Sequence, residues 1–194
     1  MRLLVGISGS TGSIYGIRLL QVLGRVPNLE THLIISAPAK RTIVEETEFS
    51  VKEVEGLAVR VYDNRDIGAA PASGSFKTLG MVIVPCSIKT ASALAMSTGD
   101  TLLCRAGDVT LKEGRPLIVG VREAPLHLGH LRQLTTLAEL GAIIFPPVPA
   151  FYHRPKTLDD IVNHTVGRIL DRLSIPQELV REWTGTQMPP SKTP

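Results

Sequence analysis

Several protein classes are excluded by what this chain has little of. Cys86 and Cys104 are the only cysteines and form no C-x-x-C pair, so no disulfide framework holds the fold. Aromatic residues make up 4% of the sequence, too few for the stacking platforms that bind single-stranded nucleic acid. Twenty-one basic residues face eighteen acidic ones and are scattered rather than gathered in a tract. A nucleic-acid partner is not expected, while small anions stay open. No apolar run is long enough for a membrane span or a signal-peptide core, and the cytoplasm is the expected compartment.

What remains is an ordinary globular composition, 43% hydrophobic and 20% charged. A chain of 194 residues suits one domain and can bury roughly 70% of its unfolded surface. Apolar runs of strand length recur at 3–7, 32–36, 58–62, 81–85, 116–121 and 142–145, mostly separated by helix-length stretches. They are near-continuous in Val, Ile and Leu rather than alternating, which predicts strands covered on both faces of a parallel sheet. The expected fold is a doubly wound α/β sandwich. The leucines 128, 131, 134, 137 and 140 are expected to pack into its core as one helical stripe.

In such sheets ligands bind beyond the carboxyl ends of the strands. After the first strand comes SGSTGS, where glycine lets backbone approach a ligand and the next helix offers free N–H groups. Its spacing is neither the dinucleotide fingerprint nor a P-loop. Ser36, where an NAD site would place an acidic residue, suits a mononucleotide phosphate ringed by Ser10, Thr11, Ser13 and Ser36. A tight turn with no ligand is the competing reading. PCSIKT (85–90) is a second hydroxyl-rich strand end, and two such loops strengthen the case for one shared ligand. Cys86 within it is read as packing.

Other segments carry charge or rigidity. Arg122 and Glu123 follow the fifth strand, as a general acid with its neighbour or as a surface ion pair. His127 and His130 have a metal-compatible spacing, but no further ligand completes a site, and no metal is expected. RAGDVTLKEGRP (105–116) reads as a solvated helix face. In FPPVPAFYHRP (145–155), prolines hold aromatics as a pocket wall or a subunit contact. Residues 63–80 form a long loop rich in small residues, and QMPPSKTP looks like a frayed tail.

Taken in order, GISGSTGSIYGIRLL, ASGSF (72–76), GMVIVPCSIKT, RAGDVTLKEGRPL, VREAPLHLGHLR and PPVPAFYHRP resemble the flavin prenyltransferases of the UbiX family, from residue 1 to about 183. The resemblance implies a Rossmann-like, flavodoxin-type single α/β domain over 1–175, with a C-terminal extension over 176–194. It implies binding of reduced FMN and dimethylallyl phosphate, and joining of the prenyl group to flavin N5 and C6. No metal takes part, and the prenylated FMN serves a partner decarboxylase of the UbiD type. Members usually form homododecamers with sites at subunit boundaries.

By position, Gly9, Ser10, Thr11, Ser36, Ser87, Ile88, Lys89, Thr90 and Arg122 match FMN contacts. Lys112, Tyr152 and Arg168 match the residues that hold the prenyl phosphate, and Glu123 the acid assisting its departure. Glu46 and Trp183 fall on further active-site positions, and Thr11 carries the family's loop hydroxyl. Gly107, Gly114 and Ala124 depart from the family's usual residues, and Gly114 is expected to loosen the loop bearing Lys112. Two alternatives share the fold or the ligand: an FMN-dependent cysteine decarboxylase, which usually has a histidine in the first helix region, absent here, and a flavin carrier without catalysis, which would not need the anion set.

Overall fold

The computed structural model describes residues 1–182 and 185. Six strands run in the order β3-β2-β1-β4-β5-β6, every pairing parallel. They are β1 (Arg2–Ile7), β2 (Glu30–Ile35), β3 (Arg60–Asp63), β4 (Met81–Cys86), β5 (Leu117–Val121) and β6 (Ile143–Ile144). Each predicted strand is present with its ends moved by a few residues. The helices are α1 (Ser13–Leu23), α2 (Ala37–Glu46), α3 (Val51–Glu55), α4 (Ile88–Ala95), α5 (Leu102–Lys112), α6 (Leu128–Glu139) and α7 (Leu158–Arg172).

The strands alternate between two cores. Leu3, Val5 and Ile7 of β1, with Val82 and Val84 of β4, pack under α1, α2, α3 and α7. Leu4, Met81, Ile83, Val119 and Val121 face α4, α5 and α6. Each fully buried Leu, Ile or Val contributes about 1.5–3 kcal/mol, so neither face can be left open. This double cover explains the unbroken apolar runs.

Helix α1 lies close on the sheet because of Gly16. A Cβ there would stand 2.5 Å from the Val84 carbonyl oxygen and 2.9 Å from the Ile7 side chain. The close approach brings the start of α1 to the β1–β4 junction. There the chain order of the sheet reverses, and doubly wound folds place their ligands at that switch.

One expectation needs correction. The leucine stripe of α6 is not core throughout: Leu137 is buried, whereas Leu128, Leu131 and Leu140 are 60%, 47% and 48% exposed. A spacing of three residues drifts by about 60° per step on a helix of 3.6 residues per turn, so five leucines wrap most of the way round. Gly114 takes a backbone conformation that favours glycine, φ +65°, and it closes α5 onto β5.

Beyond α7 the chain folds back. Ile175 is buried and Leu179 packs against the same core. A Cβ on Gly167 would come within 2.4 Å of the Val180 side chain, so a small residue on α7 is what admits this return.

Candidate active site

The loop after β1 is built around two glycines and a buried serine. Gly12 has φ +97° and stands at the N-cap of α1 with no side chain to cap it. Glu46, at the end of α2, fills that role: its Oε2 accepts from the Gly12 N–H at 2.8 Å and the Ser13 N–H at 3.3 Å. The helix N-terminus thus holds a carboxylate, as its partial positive charge favours. Gly9 abuts Pro38, where a Cβ would meet the proline ring at 2.3 Å. Thr11 is exposed at the tip, while the Ser10 hydroxyl oxygen is buried and has no hydrogen-bond partner among the described residues.

Ser8 joins this loop to the next. Fully buried, its hydroxyl donates to the Pro85 carbonyl at 3.3 Å and accepts from the Ser87 N–H at 2.7 Å. Sequence reasoning passed over it. The only signal was its position one residue past an apolar run, which does not distinguish a buried hydroxyl from an exposed one.

Ser36 and Ser87 are helix N-caps. Ser36 follows β2, which stops at Ile35, and its oxygen accepts from the Ala39 N–H. The Ser87 Oγ accepts from the Thr90 N–H at 3.3 Å and donates to the Thr90 hydroxyl at 3.1 Å. Ser36 and Ser87 thus lie beyond the ends of β2 and β4 on either side of the 8–12 loop, with Ile88, Lys89 and Thr90 opening α4. Buried Cys86 has its thiol pushed far up by desolvation, so it is packing and no nucleophile.

Arg122 and Glu123 follow β5 at the same end of the sheet. The Arg122 N–H donates to the Cys86 carbonyl at 3.0 Å, and its charge reaches Tyr15, whose phenol is pushed up by burial and drawn partly back by Arg122. Glu123 is half-buried and accepts from the Ala124 N–H at 3.2 Å. Among the described residues no ion pair joins Arg122 to Glu123, so the simple ion-pair reading loses its support.

The three residues assigned to the prenyl phosphate divide. Tyr152 and Arg168 line one cavity of about 800 Å³, where Arg168 is steadied by Asp171 at 3.0 Å. Lys112 is elsewhere. It ends α5, which begins beside Asn64 past β3 and runs back to the amino end of β5. There it pairs with Glu113, whose carboxyl it holds below the usual range, next to Gly74 of the 72–76 loop. Arg115 secures that loop by donating to the Phe76 and Gly74 carbonyls at 2.8 and 2.7 Å. Trp183 lies outside the described residues. The His127 and His130 rings lie 3.5 Å apart between centroids and tilted by 32°, with His127 capping α6, and no cluster able to hold a metal occurs among the described residues.

A doubly wound parallel sheet with two hydroxyl-rich loops at its switch point, and no acidic ribose holder after β2, defines a mononucleotide-binding α/β protein of the flavoprotein class. The matching family model, Flavoprotein, covers residues 1–170. A flavin prenyltransferase UbiX of Escherichia coli K12 is 59% identical over 186 residues, covering 95% of this chain and 98% of that one. The chain therefore belongs to the UbiX flavin prenyltransferase family. Among solved structures, a dodecameric FMN-dependent UbiX-like decarboxylase from Escherichia coli O157:H7 superposes with TM-score 0.93 at 45% identity, covering 95% of this chain and all of that one. AnUbiX (PadA1) in complex with FMN and dimethylallyl pyrophosphate also gives 0.93, at 41% identity and 96% and 98% coverage.

Proposed function

We propose that this protein joins a dimethylallyl group, carried by dimethylallyl phosphate, to N5 and C6 of reduced FMN, and that the prenylated FMN passes to a decarboxylase of the UbiD type. The observation that carries this reading is the junction of β1 and β4, where Ser8 ties two hydroxyl-rich loops together and leaves the Ser10 hydroxyl buried without a partner. A buried polar group is ordinarily satisfied, and a flavin phosphate or ribityl oxygen would satisfy this one. Gly9 and Gly12 keep the backbone bare for its approach.

When bound and reduced, the flavin supplies the nucleophile at N5. This chain's residues then orient it and stabilise the departing phosphate. Gly9, Ser10, Thr11, Ser36 and the 87–90 loop hold the flavin, with Arg122 alongside. Glu123, at the same end of the sheet as Arg122, is assigned the proton given to the leaving phosphate. Tyr152 and Arg168 supply a hydroxyl and a cation for the phosphate.

Lys112 joins them only from a second copy of the chain, because within one subunit it stands at the other end of the sheet. The dodecameric relative supports an assembly of this kind, and Leu128 and Leu131, exposed side by side at the start of α6, offer apolar contact for it. A homododecamer is the proposed state. No described helix is long and apolar enough to cross a membrane.

The test is an anaerobic incubation with FMN, a reductant and dimethylallyl phosphate, followed by mass analysis of the flavin. A product heavier by one prenyl group is expected. Flavin that stays unmodified while tightly bound would favour the carrier reading.

A further inference from the structure

Tyr152 has a neighbour that the sequence reading left unused. The His164 Nε2 lies 2.7 Å from the Tyr152 hydroxyl. Tyr152 lines both that cavity and an adjoining one of about 480 Å³ to which His164 belongs. The histidine ring is fixed from the other side by His153, stacked at 4.5 Å with the planes 3° apart, and Tyr152 meets both rings edge-on. Arg168 follows His164 by one helical turn, so the two point to the same side of α7.

The chemistry of this pair depends on whether His164 Nε2 carries a hydrogen, which protonation of the ring guarantees. A neutral His164 with a lone pair on Nε2 accepts the phenolic hydrogen, and Tyr152 then turns only oxygen lone pairs toward an anion. A protonated His164 donates to the phenolic oxygen, and the Tyr152 hydrogen is released toward the cavity. We propose that His164 is the positioning residue of Tyr152, its imidazolium directing the Tyr152 hydroxyl to donate to the phosphate of an organic monophosphate bound beside Arg168. The inference rests on the assignment of Tyr152 and Arg168 to the prenyl phosphate.

The surroundings set the sign of the pH dependence. Burial lowers the His164 pKa, His153 and Arg168 lower it further, and Asp171 opposes them. Arg154, Lys156 and Asp160 also line its cavity, as do Arg181 and Glu182 from the returning chain, and Arg18 of α1 reaches the adjacent Asn163 at 2.7 Å. Without ligand the ring is neutral near pH 7. An arriving phosphate adds negative charge and favours the proton, so binding takes up a proton and weakens as pH rises.

The experiment measures KM for dimethylallyl phosphate and kcat, at saturating reduced FMN and from pH 6 to 8.5, for the parent, His164→Leu, His164→Gln, Tyr152→Phe and the double variant Tyr152→Phe/His164→Leu. His164→Leu should raise KM roughly 2- to 12-fold, the range of one net hydrogen bond, with FMN affinity unchanged. Gln, a permanent donor, should restore most of the loss and flatten the steep part of the pH profile, the donor's own titration being common to all variants. The double variant should be no worse than Tyr152→Phe. Parent-like KM and pH profile in His164→Leu, no recovery by Gln, or additive losses in the double variant would overturn the inference while leaving the proposed function standing. A parent that forms no prenylated flavin, or a Tyr152→Phe with unchanged KM, would overturn the assignment on which it rests, and the inference with it.

Discussion

The Ser8 hydroxyl accepts the Ser87 N–H at 2.7 Å, both groups inside the junction where β1 and β4 end. Without this bond the Ser87 N–H would be buried and unpaired, at a cost of about 1–3 kcal/mol. Ser8→Ala should therefore lower the unfolding midpoint by roughly 2–12 °C, taking 2–4 °C per kcal/mol for a domain of this size. FMN affinity should fall with it, since the two loops lose their common register. Calorimetry and flavin titration on the same preparation check both; an unchanged midpoint would remove Ser8 from the frame of the site.

Thr11→Val keeps the branched shape and deletes the hydroxyl. With Thr11 assigned to the flavin site, FMN affinity or prenyl transfer should fall by roughly 2- to 12-fold, the worth of one hydrogen bond. Parent values of both would withdraw Thr11 from the site.

Glu123→Gln keeps size and loses the proton. FMN should remain bound while transfer slows by about 10²- to 10⁴-fold, the usual contribution of a general acid. Anaerobic turnover equal to the parent's would restore Glu123 to a surface role.

Arg168→Ala removes a cation from the cavity it shares with Tyr152. Weaker phosphate binding or transfer by roughly 10- to 150-fold is expected, as for hydrogen bonds to a charged group, with FMN affinity little changed. EDTA should leave the parent's activity intact, because the proposed site assigns the charge neutralisation to cationic side chains. Loss of activity on chelation would point to a metal.

His32 gives a pH signature independent of the site. It is buried on β2, with Nδ1 2.9 Å from the Tyr62 hydroxyl, and burial lowers its pKa from 6.5 despite Glu30 nearby. The folded state then binds its proton less readily than the unfolded state. Its stabilising contribution is present above about pH 6.5 and is lost as pH falls through the lower folded value. Unfolding midpoints measured from pH 8 to 5 should drop more for the parent than for His32→Gln.

The strands were legible because each is covered on both faces, which forces unbroken runs of Val, Ile and Leu and needs no knowledge of partners. The hydroxyl-rich loops were legible because glycine and serine at strand ends carry a local backbone meaning. The leucines of α6 misled because a three-residue spacing fits a helix in sequence without sharing one face of it. The caps, the cross-loop bond of Ser8, the Glu46 carboxylate on the N-terminus of α1 and the separation of Lys112 from Tyr152 and Arg168 depend on which strands lie side by side and which way each helix runs. Ser8 and Ser87 are far apart in the chain and meet because β4 inserts beside β1; Lys112 is carried away because α5 runs antiparallel to the strands. Local sequence determined which segments became strands, and the order in which they packed decided which side chains could meet.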